Sequence, residues 1–349
     1  MKGPAYVIFF LLLLTGCIEP LEVDIKQDDV RLVVNGLISD EPGPYTVMLT
    51  QTQTVPYTPQ SIPREDGATL FIADDLGNTT SLYQTTPGVY QTQPDFQGQI
   101  GRTYTLHITT SKGEKYVSAP ETLQAVPDIE NINYEVEKRI ALDEENRPSD
   151  VYWLNASIDT KDESGQKNYY RWEYEAVYQI DTQPWDYCEP NPLGTACIPK
   201  PKSCCSTCWV TIYNDAISIH NDWLVNGNEL KKQFITKLPV NNQVFNSRVH
   251  LEVKQFSISE AAYDYWNILK TQVNDVSSIQ SPPPAFVSGN ISSVDNAAKK
   301  PLGFFSASAV KKKSIFISTK ELGVSLRPLI YPDDCRVIDN STAIRPFYW

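Results

Sequence analysis

Histidine is scarce in this chain, with three residues in 349: His107, His220 and His250. None sits in a His-Glu-x-x-His spacing, which excludes the two-histidine zinc site of that protease class. Each lies in a strand-like stretch, where a polar-face or half-buried role is the expectation. The Gly-x-Ser-x-Gly elbow and the glycine patterns of nucleotide-binding loops are missing as well. A hydrolytic site would have to be assembled from residues dispersed along the chain. No apolar run approaches the about 20 residues that a membrane-crossing helix needs. Positive charge is short too: the net charge is −12, which does not suit nucleic acid or an anionic lipid surface.

What is abundant points to sheets. The chain carries 19 Tyr, 12 Phe and 7 Trp against 2 Met, a composition that favours strands. Turn residues recur at short intervals, as in all-β folds rather than alternating βαβ ones. The length exceeds what one core usually organises, so two domains are expected.

The N-terminus reads MKGPAYVIFFLLLLTGCIEP. Lys2 and the apolar run over 5–14 have the lengths of a signal peptide. Leu14-Thr15-Gly16-Cys17 looks like a bacterial lipobox, with 1–16 removed and Cys17 acylated. The alternative is a plain secretory signal with an incidental cysteine. Two or more acyl chains would hold the protein stably, at about 0.8 kcal/mol per buried methylene. The tether over 17–29 carries Glu19, Glu22, Asp24, Asp28 and Asp29; it reads as an export signal or as a solvated linker.

Residues 30–125 hold six or seven short strands and predict an immunoglobulin-like β-sandwich. In 102–110, Tyr104, Leu106 and Ile108 alternate onto one face. Prolines in 119–132 mark the boundary. Residues 126–349 predict a larger β-rich domain with strands over 150–158, 168–180, 208–219 and 243–258. Tyr170, Trp172, Tyr174 and Tyr178 share one face of the second, opposite Arg171, Glu173 and Glu175; the stripe is expected to be core. One well-formed helix is predicted over about 258–278, with Ser257 and Glu260 at capping-box spacing. Ala262, Tyr265, Trp266, Leu269, Val273 and Val276 form its apolar face.

Paired carboxylates at Asp74-Asp75, Glu144-Glu145 and Asp333-Asp334 read as turn chemistry, since no calcium-loop spacing accompanies them. Beyond Cys17, six cysteines remain: Cys188, Cys197, Cys204, Cys205, Cys208 and Cys335. Cys205-Ser-Thr-Cys208 has redox-motif spacing, but a strand rather than a helix follows it. Four thiolates could hold zinc, although an oxidising compartment disfavours them. Disulfides that staple a long loop over about 181–209 are the preferred reading. Six cysteines allow about 15 pairings, so the partners stay open. No metal and no cofactor is expected.

Several segments together carry a likeness: VRLVVNGLISDEPGPYTVMLTQT, GVYQT, GRTYTLHITTSKGEKYVSAPETL, ISEAAYDYWNILKTQ, SPPPAFVSGNIS, LGFFSASAV and the closing Pro-Phe-Tyr-Trp. In this order, behind a lipobox, they resemble the Bacteroidota lipoprotein family catalogued as domain of unknown function 4249. The resemblance implies an envelope location, with the outer membrane expected, and a TonB-dependent receptor as candidate partner, and it carries over no catalytic residue. It also implies a cysteine pair near the C-terminus, where this chain has Cys335 alone. The function expected is a non-enzymatic accessory or binding protein for nutrient uptake, with the 181–209 loop as contact surface. A structural or adhesive surface lipoprotein is the alternative, and an envelope hydrolase with a dispersed site is a third.

Overall fold

A computed structural model describes residues 30–52, 62–142, 146–162, 164–165, 167–223, 227–275, 287–326 and 329–349. Cys17, the signal peptide and the tether lie outside them, as do Glu144, Glu145 and the predicted helix end from Val276. The fold is mainly β, with one α-helix among the described residues.

The strands of the first part are β1 (Leu32–Ile38), β2 (Thr46–Gln51), β3 (Thr69–Asp74), β4 (Thr79–Thr86), β5 (Val89–Gln91), β6 (Thr103–Thr109), β7 (Lys115–Ser118) and β8 (Glu121–Thr122). The middle supplies β9 (Ile129–Leu142), β10 (Pro148–Lys161), β11 (Tyr169–Asp181), β12 (Cys188–Pro190), β13 (Cys197–Pro199), β14 (Thr207–Tyr213), β15 (Ser218–Asn221), β16 (Glu229–Val240) and β17 (Arg248–Ser257). Then come α1 (Glu260–Asp275), β18 (Ile291–Ser293), β19 (Leu302–Ala307), β20 (Val310–Ser318) and β21 (Ser341–Thr342).

The first sheet has ten strands in the order β18-β7-β6-β3-β4-β5-β2-β1-β19, with β8 beside β6. β4 serves both halves, pairing with β3 through Thr79–Leu82 and with β5 from Tyr83 onward. Inward residues of the two halves, among them Val34, Val47, Leu70, Leu106 and Tyr90, pool in one core. Tyr104, Leu106 and Ile108 are buried as the alternation predicts.

The boundary expected near residue 125 is crossed by two strands. β19 runs parallel to β1, from Val33 opposite Leu302 to Ile38 opposite Ala307, and β18 pairs with β7. A parallel neighbour requires a long crossover, and here it runs over residues 39–301, most of the chain. Gly303 makes the close pairing feasible. It has φ +91°, and a Cβ there would overlap the Val34 carbonyl, so only glycine fits.

A three-stranded sheet (β16-β10-β9), a six-stranded sheet (β20-β17-β11-β14-β21, with β15 on β11) and the two-stranded β12-β13 make the rest; the first two face each other. They share a core of Leu154, Ala156 and Ile158 from one and Tyr170, Trp172, Tyr174 and Tyr178 from the other. The aromatic stripe is therefore core. Buried Gln255 ties the layers: it accepts from Trp172 Nε1 at 2.8 Å and donates to Thr160 Oγ1 at 3.0 Å and the Pro127 carbonyl at 2.8 Å. A satisfied buried amide of this kind fixes the packing without an orphan's penalty.

Two expectations need correction. The predicted strand over 208–219 is two strands, β14 and β15, separated by a turn in which Asn214 donates to the Ala216 carbonyl. The helix cap is Ser259, not Ser257. Ser259 Oγ accepts from Ala262 N at 3.1 Å, while Ser257 still pairs with Tyr170 in the sheet. Ala262, Tyr263, Tyr265 and Trp266 pack against Tyr169, Phe256 and Phe304, so α1 covers the junction between the two parts. Val273 is exposed, so the apolar face fades before the end of the helix.

Candidate functional site: the disulfide-held loop and the junction cavity

The long loop leaves β11 at Asp181 and returns as β14 at Thr207. Its first residues form a 3-10 turn over Pro184–Asp186. β12 and β13 then make a hairpin whose end Asn191 shapes, its side chain accepting from Thr195 N at 2.8 Å. Cys188–Cys197 closes this hairpin. Neighbouring Cys204 and Cys205 form a second disulfide, and Cys208–Cys335 a third. All six cysteines are thus paired, leaving no thiolate for the redox or zinc readings.

The loop is fastened to 331–337 by more than sulfur. Gln183 N donates to the Tyr331 carbonyl at 2.8 Å and Cys335 N to the Cys205 carbonyl at 3.0 Å. Lys202 pairs with Asp333 and lies 3.9 Å over the Tyr187 ring. Arg336 holds the Asp334 carboxyl far below the usual range. So Asp333-Asp334 is pinning chemistry. Asp74-Asp75 is likewise a turn, with Asp74 accepting from Leu76 N and Asn78 N and both residues meeting Arg102.

Held this way, the loop exposes apolar side chains. Trp185 is 58% exposed, Leu193 83% and Ile198 55%. Ile330, Val337 and Ile344 are exposed on the segments beside it. The closing Pro-Phe-Tyr-Trp lies over the outer face of the six-stranded sheet. Tyr348 stacks on His250 at 4.1 Å, and Trp349 meets Trp209 and Phe316 and donates to Gln179 Oε1 at 3.0 Å. Phe347 projects into solvent.

The histidines are dispersed. His107 stacks on Phe71 in the first sheet, and His250 lies under Tyr348. His220 sits against Trp172 with the carboxylates of Asp162 and Asp222 nearby. Desolvation pushes all three below the usual imidazole range, against the pull of those two carboxylates at His220 and of Glu252 at His250, so each is neutral at physiological pH. Among the described residues, no histidine lines the cavities at Arg31 and Lys299, at Trp153 and Pro239, at Thr80 and Phe96, or at Arg171 and Trp266. The buried Asp222 carboxylate and His220 Nε2 have no hydrogen-bond partner among the described residues.

Sequence reasoning missed one feature. A cavity of about 200 Å³ lies between β1, β19 and α1, lined by Asn35, Leu37, Phe304, Tyr265, Trp266 and Arg171. Arg171 alternates away from the aromatic stripe, as predicted, but α1 covers it. Its guanidinium lies 4.1 Å from the centroid of the Trp266 ring. The signal available in sequence was the Tyr265-Trp266 pair, a bulky aromatic step on the one helix that had to dock somewhere.

Fold and loop together define a mainly β protein built on three principal sheets, with a triply disulfide-bonded projection. The profile of domain of unknown function 4249 matches residues 18–314, most of the chain, and the protein belongs to that family. No curated protein matches it.

Proposed function

We propose that the protein is an outer-membrane lipoprotein, held by acylated Cys17, that serves as a non-enzymatic accessory to a TonB-dependent transporter in nutrient uptake. The first part of the chain, read as an immunoglobulin-like spacer, stands nearer the lipid. The 181–209 loop is the docking surface. One observation carries this reading: the placement of the loop. Val30, where the tether joins, neighbours the Leu302 end of β19, while the loop springs from the end of β11 that lies near Arg248 and Ser318. The chain path through β19 and β20 separates the two. A disulfide-held projection with exposed apolar side chains suits docking on a membrane partner, because preorganisation lowers the ordering cost.

The test is affinity purification of the protein from its native outer membrane. Recovery of a TonB-dependent receptor with the wild type, and its loss with Trp185→Ala and Leu193→Ser combined, is the expected result. Recovery of no receptor sinks the proposal.

A further inference from the structure

The junction cavity has the chemistry of a ligand site. One wall is Arg171, whose Nη2 donates to Glu173. The remaining donors of that guanidinium have no hydrogen-bond partner among the described residues, although its side chain is only 17% exposed. A planar cation presenting several aligned donors matches a carboxylate in bidentate fashion. Trp266, on the adjoining wall, carries a buried Nε1–H without a partner among the described residues. Tyr265, tilted against Phe304 with ring centroids 5.1 Å apart, adds aromatic surface, and among the described residues no carboxylate lines the space.

Buried donors left unmade are costly and rare in native structures. The Trp266 Nε1–H is such a donor, and the Arg171 donors not engaged by Glu173 line the same cavity. Desolvation pushes Arg171 down from its usual range, opposed by Glu173, so a second anion there would be welcome electrostatically. The volume lies below the about 300 Å³ at which drug-sized pockets begin, which limits the occupant to a small molecule.

We propose that this cavity binds the carboxylate of a small ligand with an apolar body. The carboxylate lies against the Arg171 edge not used by Glu173, and the apolar part lies against Tyr265, Trp266 and Phe304. Inorganic phosphate is disfavoured, because an aromatic-walled space gives it too few donors to replace its hydration. The site is independent of the transporter reading, since it is tested on the isolated protein.

Purified full-length protein is titrated calorimetrically with benzoate, with neutral benzamide and with inorganic phosphate. Saturable one-site binding of benzoate, and of neither other probe, is expected. Arg171→Gln should weaken it about tenfold or more. Trp266→Phe, which removes one N–H and keeps the ring, should weaken it severalfold, with circular dichroism confirming that both variants fold. Benzoate binding that is absent below about 10 mM, shared by benzamide or phosphate, or unchanged in the folded variants overturns the proposal. Should Arg171→Gln fail to fold, Trp266→Phe and the benzamide comparison decide it.

Discussion

Glu121 should make the stability of this protein fall as pH rises towards neutrality. The residue lies in β8 and is 3% exposed, with its carboxylate bonded to Asn290 Nδ2 at 3.4 Å and to the Ser259 side chain. Asn290 in turn grips both backbone groups of Phe305 in β19, and Ser259 caps α1. One acid thus touches β8, the approach to β18, β19 and the helix start. Burial, only partly offset by the Ser259 and Asn290 bonds, pushes its carboxyl up from 4.5 to about 7. A raised folded value means the neutral acid is the form the fold prefers. The stability it contributes is full below the unfolded value near 4.5 and is lost as pH climbs through about 7. At about 1.4 kcal/mol per pH unit of displacement, the whole effect is about 3 kcal/mol. About 2 kcal/mol of that falls between about pH 5.5 and about pH 8.5. Glu121→Gln keeps the shape and the hydrogen-bonding capacity and cannot ionise. Urea unfolding followed by tryptophan fluorescence at both pH values gives a double difference in which every other titrating group cancels. The variant should gain about 2 kcal/mol over wild type on going to the higher pH. A double difference under about 0.5 kcal/mol would refute the reasoning.

Breaking Cys208–Cys335, which spans 127 residues, by a double change to alanine should cost about 5 kcal/mol in the chain-entropy account. Breaking Cys188–Cys197, which spans 9, should cost roughly 2.5 kcal/mol, so the two variants should separate in thermal midpoint. Gly303→Ala should destabilise by several kcal/mol, because its Cβ meets the Val34 carbonyl at a positive φ; hydrogen exchange should show opening in β1 and β19 first. Ser259→Ala should cost about 1 kcal/mol through the lost helix cap, while Ser257→Ala should leave that cap intact and instead lose the bond from Ser257 Oγ to the Gln124 carbonyl.

Strands with one buried face were legible. The alternation in β6 and β11 located both, and their inward residues, because burial on one face imposes a period of two. β9 and β16 were not foreseen. Along β9 most residues past Ile129 are at least partly exposed, so no alternation advertises a strand. Parallel pairing of β1 with β19 was equally hidden, since neither segment signals a partner more than half the chain away. Ser257 and Ser259 are both plausible caps by type; what decides between them is that Ser257 is already spent on β17. The cysteine-rich segment runs between β11 and β14, and its pairings depend on where 331–337 comes to rest, which spacing cannot encode. The alternation places Arg171 opposite the aromatic stripe but not beneath a helix, because the covering helix follows it by about ninety residues, beyond the reach of any local pattern.

Site-specific photocrosslinking in living cells tests the central claim most directly. A crosslinking residue replaces Leu193 at the tip of the stapled loop or, as control, Leu76 in the exposed turn between β3 and β4. The account predicts a covalent adduct with a TonB-dependent receptor from position 193 and none from position 76. Equal adducts from both positions, or no receptor adduct from position 193, would contradict it.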